Sequence, residues 1–350
     1  MSTESANVMR WDGSPGHYEV WYATFNHRRS GAGFWIRYTL RAPEQGRGDP
    51  TCTLWFAYFD ANHPRRNVAI NREMPITALA RTDAPFALSL GDEALGDQGE
   101  LTHGSLRGRL RGGNGDDIDV RWDLSYEPST FCHFHLPERL YSGSFPATKV
   151  LSPNPMIHVR GEISVGERRF ELDDERGCQS HLWGTQHAYE WAWAHCATFR
   201  EDPTASLEAV AARVKRGPLL TTPPLTSMSL YFGGEVYHFN ELYTLPLTRS
   251  RWKDGALHMS AYGKRVRIEA ELRSRPEDMV RAHYRDPDGD TVYCHNTEVA
   301  DAIVTLWTRR TLLSSFRQTA RLTSRATAHF EYGGRRPDQR IKRVHERIAG

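Results

Sequence analysis

A chain of 350 residues, 39% hydrophobic and 11% aromatic, is neither disordered in composition nor too short to bury a sizeable core. Its formal net charge of +2 supplies no global attraction to nucleic acid or to an anionic membrane. The cysteines (Cys52, Cys132, Cys178, Cys196 and Cys294) are odd in number, scattered and without a CxxC pair, which speaks against a disulfide framework or a four-cysteine zinc site and for a reducing compartment.

Residues 1–15 are polar and lack the apolar stretch of a signal peptide, so they are expected to be disordered and the protein cytoplasmic. No run of ~20 apolar residues reads as a span, so no stable membrane anchor is expected. From His17 onward a period-two pattern dominates, as strands require. Strands are predicted at 17–25 and 34–41, on either side of the turn at 28–31, and at 52–59. Residues 102–110 and 118–126 are predicted to form a hairpin about Gly112-Gly113-Asn114-Gly115. In its second strand Ile118, Val120, Trp122, Leu124 and Tyr126 alternate with Asp119, Arg121, Asp123 and Ser125, which implies one buried and one wet face.

Three prolines within 146–155 mark a boundary between a first domain at 16–150 and a second at 151–333, followed by a basic tail at 334–350. Strands resume at 157–165, 168–172, 188–199, 227–232, 236–239, 256–262, 266–272, 279–284 and 291–294. Asp286-Pro287-Asp288-Gly289 reads as a turn, and 300–307 with 326–332 could close the second sheet. One segment departs from this pattern. Leu207, Val210, Ala211 and Val214 stand at helical spacing, with Thr204 or Ser206 to cap the start and Gly217 the end, which predicts one short amphipathic helix. The tail at 335–347 reads as a solvated helix. Many short strands with a single helix imply an all-β chain of two tandem antiparallel barrels.

No P-loop, no GxGxxG between strand and helix, and no GxSxG elbow occur, which removes most nucleotide and nicotinamide chemistry and leaves a hydrolase with an activated Ser or Cys only as a minor reading. Asp286 to Asp290 resembles a calcium loop only until its twelfth position, which is Thr297 instead of Glu. Cys132-His133-Phe134-His135 places two His on one strand face, but no third ligand is evident, so neither a metal nor a cofactor is expected. The densest stretch is 177–196, with three Trp, three His, Tyr189 and Glu190. On a strand, Trp191, Trp193 and His195 share one face and Glu190, Ala192, Ala194 and Cys196 the other. Indole faces attract a developing cation, at roughly 0.5–2 kcal/mol per ring, and a buried acid beside them stays protonated and able to donate. Plain core packing of each Trp, and a structural role for Glu190 and His187, are the competing readings.

Gly177, His181, Trp183-Gly184 and Trp191-x-Trp193 resemble the junction motif of the AttH-type, lipocalin-like superfamily, which includes tocopherol cyclase, carotenoid 1,2-hydratase and lipocalin-fold Diels–Alderases. The hairpin from Val159 to Leu172, the segment from Phe145 to Pro155 and the strand Val120-Arg121-Trp122-Asp123-Leu124 are similar in style. The sequence differs from relatives at Leu182, Ser180 and the strand from Tyr18 to Tyr22. The resemblance implies two lipocalin-like barrels and a ligand held in a barrel or between them. It also implies non-redox chemistry on prenyl, polyene or polyketide substrates without an obligatory cofactor.

The expected function is therefore that of a cyclase, hydratase or isomerase for a hydrophobic terpenoid, polyene or polyketide-like molecule, with a non-catalytic carrier as the alternative. His181 and Glu190 are the expected catalytic groups. Trp183, His187, Trp191, Trp193, His195, Trp21, Trp35, Tyr38, Tyr231 and Tyr237 are expected to bind substrate. The expected partner is a hydrophobic small molecule bound by a monomer or homodimer, with no nucleic acid.

Overall fold

The computed structural model describes every residue except 93, 95, 113–117, 144, 217–219, 344, 349 and 350, and every remaining side chain except those of 216 and 345–348. The alternating sequence forms two nearly closed antiparallel barrels, with 63% of residues in strands. The first half contains β1 (His17–His27), β2 (Ala32–Ala42), β3 (Thr51–Asp60), β4 (Val68–Pro75), β5 (Leu79–Asp83), β6 (Phe86–Asp92), β7 (Asp97–Thr102), β8 (Ser105–Arg111), β9 (Asp119–Glu127), β10 (His133–Phe134), β11 (Thr148–Val165) and β12 (Arg168–Gly184). These run β4-β3-β2-β1-β12-β11-β9-β8-β7-β6-β5, with β10 paired to β11.

The second half contains β13 (Glu190–Cys196), β14 (Ser206–Arg213), the small hairpin β15 (Lys215–Arg216) and β16 (Leu220–Thr221), β17 (Leu225–Phe232), β18 (Glu235–Phe239), β19 (Thr248–Lys253), β20 (Ala256–Tyr262), β21 (Val266–Arg273), β22 (Val280–Arg285), β23 (Thr291–Thr308) and β24 (Arg317–Gly334). Their order is β18-β17-β14-β13-β24-β23-β21-β20-β19, with β22 on β23. Among the described residues no helix is long and apolar enough to cross a membrane.

The side-chain patterns explain how the sheets meet. β9 is buried on one face only. β1 and β3 are buried on both faces along almost their whole length. One face fills the first barrel with Trp21, Phe25, Phe34, Ile36, Tyr38 and Phe56. The other, with Tyr18, Val20, Tyr22, Trp35, Trp55 and Phe59, packs against Trp191, Trp193, Val280, Tyr284 and Cys294 of the second sheet. The interior of the second barrel mixes small residues, among them Ala192, Ala194, Ala209, Ala211 and Ala270, with larger ones such as Met228, Met259, Leu272 and Phe330. The docking is close: a Cβ at Gly33 would lie 2.6 Å from Glu298 Cβ and 2.8 Å from the Glu298 carbonyl oxygen. This interface between the sheets is the seam on which the remaining observations bear.

Four expectations are corrected. The segment read as an amphipathic helix is strand β14, because both its faces are buried and apolar residues therefore occupy both parities. Its proposed cap, Gly217, and most of the turn at 112–115 lie outside the described residues. The long hairpin β11–β12, bent by three register shifts, completes the first sheet, so the chain changes sheets at 185–189 and not at 146–155. The basic tail is extended: β25 (Lys342–Arg343) and β26 (His345–Ile348) add parallel to β22 and β4. Finally, the N-terminal segment is packed, with Ala6 and Asn7 fully buried.

Gly33→Ala is expected to destabilise the protein by about 1–3 kcal/mol and lower Tm by several degrees, because backbone stands where the methyl group must go. Gly91→Ala, which meets nothing within 4 Å, should leave Tm nearly unchanged. Calorimetry showing equal Tm for the two variants would contradict the tight docking.

Candidate functional site

β13 lies between β24 and β14, and β14 between β13 and β17, so the register aligns side chains in rows across the sheet. One row is Glu331, Trp193, Val210 and Ser227; the next is His329, His195, Glu208 and Ser229; beyond it Ser206 stands opposite Tyr231. Alternation puts all three rows, with Trp191, on the face turned to the first sheet. A polar stripe thus crosses the sheet between Trp193 on one side and Tyr231 on the other. His329, His195, Glu208 and Ser229 are all buried.

Part of the stripe is closed by hydrogen bonds across the seam. His329 Nδ1 is 2.6 Å from Thr24 Oγ1 and 3.0 Å from His195 Nδ1. His329 Nε2 is 2.9 Å from Asn26 Oδ1, and His195 Nε2–H donates to the Pro155 carbonyl over 3.0 Å. Cys178 lies beside this pair. Trp191 Nε1–H donates to Glu331, whose other oxygen accepts from the Cys294 thiol. Burial holds the His195 imidazole at about 4, so it is neutral at pH 7.

The other part is not closed. β10 lies against β11 and brings His133 and His135 over Glu208. His135 Nε2 is 3.7 Å from Glu208 Oε2, beyond hydrogen-bond reach. Both Glu208 oxygens, both His135 nitrogens and His133 Nε2 lack partners, as do Ser206 Oγ, Ser227 Oγ and Trp193 Nε1. The Ser152 hydroxyl stands beside Glu208 and weakly opposes the effect of its burial, while its Oγ lies 3.1 Å from Ser180 Oγ. Desolvation pushes the Glu208 carboxyl well above its usual range, and burial brings the His135 imidazole down to about 3. His133 Nδ1 is 2.8 Å from Tyr231 Oη.

The expected site residues divide into three groups. Trp191, Trp193, His195, Trp35 and Tyr231 lie at the seam, where Trp193 meets Tyr22 edge-on and His195 face-on. His187 joins them at the crossover, stacked among Tyr18, Trp191 and Tyr284 and 2.5 Å from Asp286 Oδ1. Arg37 is buried there too, 4.0 Å above the Tyr284 ring.

His181, Trp21 and Trp183 form a separate cluster. His181 stacks on Trp21 at 4.8 Å; its Nδ1–H donates to the Ala6 carbonyl at 2.7 Å, and its Nε2 is 2.8 Å from Glu19 Oε1. Both ring nitrogens are therefore used in clamping the N-terminal segment. Glu19 adds bonds from the Arg10 and Trp11 backbone N–H groups.

Three residues stand elsewhere. Tyr38 lies inside the first barrel, donating to the Glu100 carbonyl. Tyr237 packs on the second core. Glu190 is half-exposed and paired with Arg213 at 3.4 Å, so it is not a desolvated acid. A charged cleft of about 350 Å3, lined by Asp60, His63, Arg66 and Arg168 among others, contains none of these residues.

Sequence reasoning missed Glu208, Glu19 and His329. Glu208 was hidden by the helical reading; as a strand, 206–213 sets Ser206, Glu208 and Val210 on one face, and that was the available signal.

A tocopherol cyclase-like family model matches residues 97–334, more than half of the chain. Two uncharacterized proteins of Mycobacterium tuberculosis, MT0513 of strain CDC 1551 and Rv0493c of strain H37Rv, are each 29% identical over 311 residues, covering 87% of this chain and 85% of theirs. Among solved structures, CghA with Sch210972 superposes with a TM-score of 0.57 at 10% identity, covering 91% of this chain and 88% of CghA. A Nitrosomonas europaea protein described as an AttH gives 0.51 at 13% identity, over 91% and 93%. At these identities the structural likeness is one of fold.

Burial pushes the Glu19 carboxyl up, but hydrogen bonds from His17 and His181, the His181 charge and the Arg10 N–H bring it down to about 2. A depressed carboxyl contributes stability above its unfolded value near 4.5 that disappears as pH falls toward 2. Glu19→Gln should therefore cost on the order of 3 kcal/mol at neutral pH and flatten the acid decline in urea-unfolding midpoints. An unchanged pH slope would contradict the clamp.

Proposed function

The chain belongs to the tocopherol cyclase-like family, and from that premise we propose that it takes up a largely apolar molecule bearing one or more oxygen functions at the seam and promotes its ring closure, hydration or isomerisation. A polyene, terpenoid or polyketide-like substrate fits this description. One observation carries the reading: an indole N–H and two hydroxyls, on Trp193, Ser206 and Ser227, are buried without partners on one aromatic-flanked face. A buried donor without an acceptor costs about 1–3 kcal/mol, and a ligand oxygen accepting from it recovers that cost. The Trp193, Tyr22 and Tyr231 rings supply apolar contact area, and indole and phenol faces favour positive charge developing on a polyene.

The sequence expectation is redirected in one respect. His181 already holds the N-terminal segment and Glu190 is solvated, so the reacting chemistry is assigned to the polar stripe between Trp193 and Tyr231. His187 and Trp191 border the end nearest the crossover.

Trp193→Ala is expected to weaken binding of a hydroxylated polyene at least tenfold, read by fluorescence titration of the full chain. Trp193→Phe keeps the wall but deletes the N–H; it should bind the parent hydrocarbon normally and the hydroxylated form more weakly. Trp307→Ala, with its ring beneath Arg267 near the end of β23, should bind both as the parent protein does. Equal affinities in all three variants would overturn the reading.

A further inference from the structure

We propose that His133, His135 and Glu208 bind a divalent first-row transition-metal ion at the seam. His133 belongs to β10 and His135 follows in the bend that ends it, which brings the two rings edge to face with centroids 4.6 Å apart. β10 pairs with β11 through His133 and Ser152, which holds the two rings against β14 of the other sheet. One donor atom from each of the three residues lies within 4.8 Å of the others, and all three side chains are buried.

The second observation is their hydrogen bonding. Five donor or acceptor atoms of this triad have no protein partner: His133 Nε2, His135 Nδ1 and Nε2, and both Glu208 oxygens. Elsewhere along the seam the histidines are hydrogen-bonded, as His195 and His329 are through Pro155, Thr24 and Asn26. That separates this triad from the neighbouring Cys178, His195 and His329, whose ring nitrogens are already engaged.

A cation resolves the conflict. Two imidazole lone pairs and a carboxylate form the donor set of open, three-protein-ligand metal sites, and bonds of roughly 2.0–2.1 Å on either side of an ion bridge a separation such as the 3.7 Å from His135 Nε2 to Glu208 Oε2. Tyr231 Oη beside His133 Nδ1 is the outer partner that such a ligand needs: if Nδ1–H donates to the phenol, the Nε2 lone pair is left for the metal. Binding would release the Glu208 proton and leave both imidazoles neutral, as burial already favours.

The ion's further role rests on the ligand reading above. With three protein ligands it keeps a position for a substrate oxygen and acts there as a Lewis acid, without redox change. Metal binding itself does not depend on that role.

The test uses the full chain. Metal content is measured as purified; the protein is then stripped with a chelator and titrated separately with Zn2+, Co2+, Fe2+ and Mn2+. About one ion per chain is expected, with Co2+ giving the visible absorption of a low-coordinate nitrogen–oxygen site. His135→Ala and Glu208→Gln should each weaken binding at least 100-fold, whereas His158→Ala, at a surface pair with Asp174, should not. Because a core variant can fail to fold, the parent protein is decisive: no stoichiometric binding of any of the four ions at micromolar concentration overturns the proposal. Trp193-dependent polyene binding by a protein that takes up none of the four ions overturns the metal and spares the ligand reading. Tight metal binding with Trp193-independent polyene binding supports the metal and overturns the ligand reading.

Discussion

Two curved sheets bury one another's outer faces, and every polar side chain on those faces must find its partner there, away from water. That constraint organises the molecule. A buried polar group costs little when hydrogen-bonded and about 1–3 kcal/mol when not. Most of the seam obeys: Thr24, Asn26, His195 and His329 close on one another, and Trp191, Glu331 and Cys294 do the same. The region around Glu208 does not: eight unpartnered polar atoms of His133, His135, Trp193, Ser206, Glu208 and Ser227 lie there, whereas Trp55 Nε1, Tyr284 Oη and Glu298 Oε2 stand unpaired farther along the seam. Departures from local satisfaction in a folded chain are expected where function is held.

The same constraint sets residue sizes. β13 presents Ala192 and Ala194 to the interior of its barrel and Trp191, Trp193 and His195 to the seam. On this strand, small residues inside and large ones outside place the aromatic surface at the junction. The first barrel is built the other way, with Trp21, Phe34, Phe56 and Trp122 filling its interior. The N-terminal turn is then held onto it by the His181–Glu19 pair.

Strand content and the two-barrel plan were legible because alternation survives wherever one face is wet, as in β9. The shared face of Trp191, Trp193 and His195 followed from the same parity. Alternation fails where both faces are buried. In β14, Leu207 and Ala211 face the barrel while Val210 faces the seam, and together they imitate a helical stripe. That misreading concealed Glu208 and left His133 and His135 without a third partner. The sheet changeover was misplaced for a related reason: prolines at 146–155 suggested a linker, yet bulges let β11 accommodate them within a strand. Glu190 failed as an acid because it begins its strand beside Arg213 in solvent, which no local pattern records.

Photolabelling tests the central claim, that the seam and not a barrel lumen receives the ligand. A polyene carrying a diazirine is bound to the full chain, irradiated, and its adducts mapped by peptide mass spectrometry. Adducts on β13, β14, β17 and residues 131–135 are the predicted result. Adducts confined to lumen residues such as Leu88, Leu106, Met259 or Leu272 would contradict it.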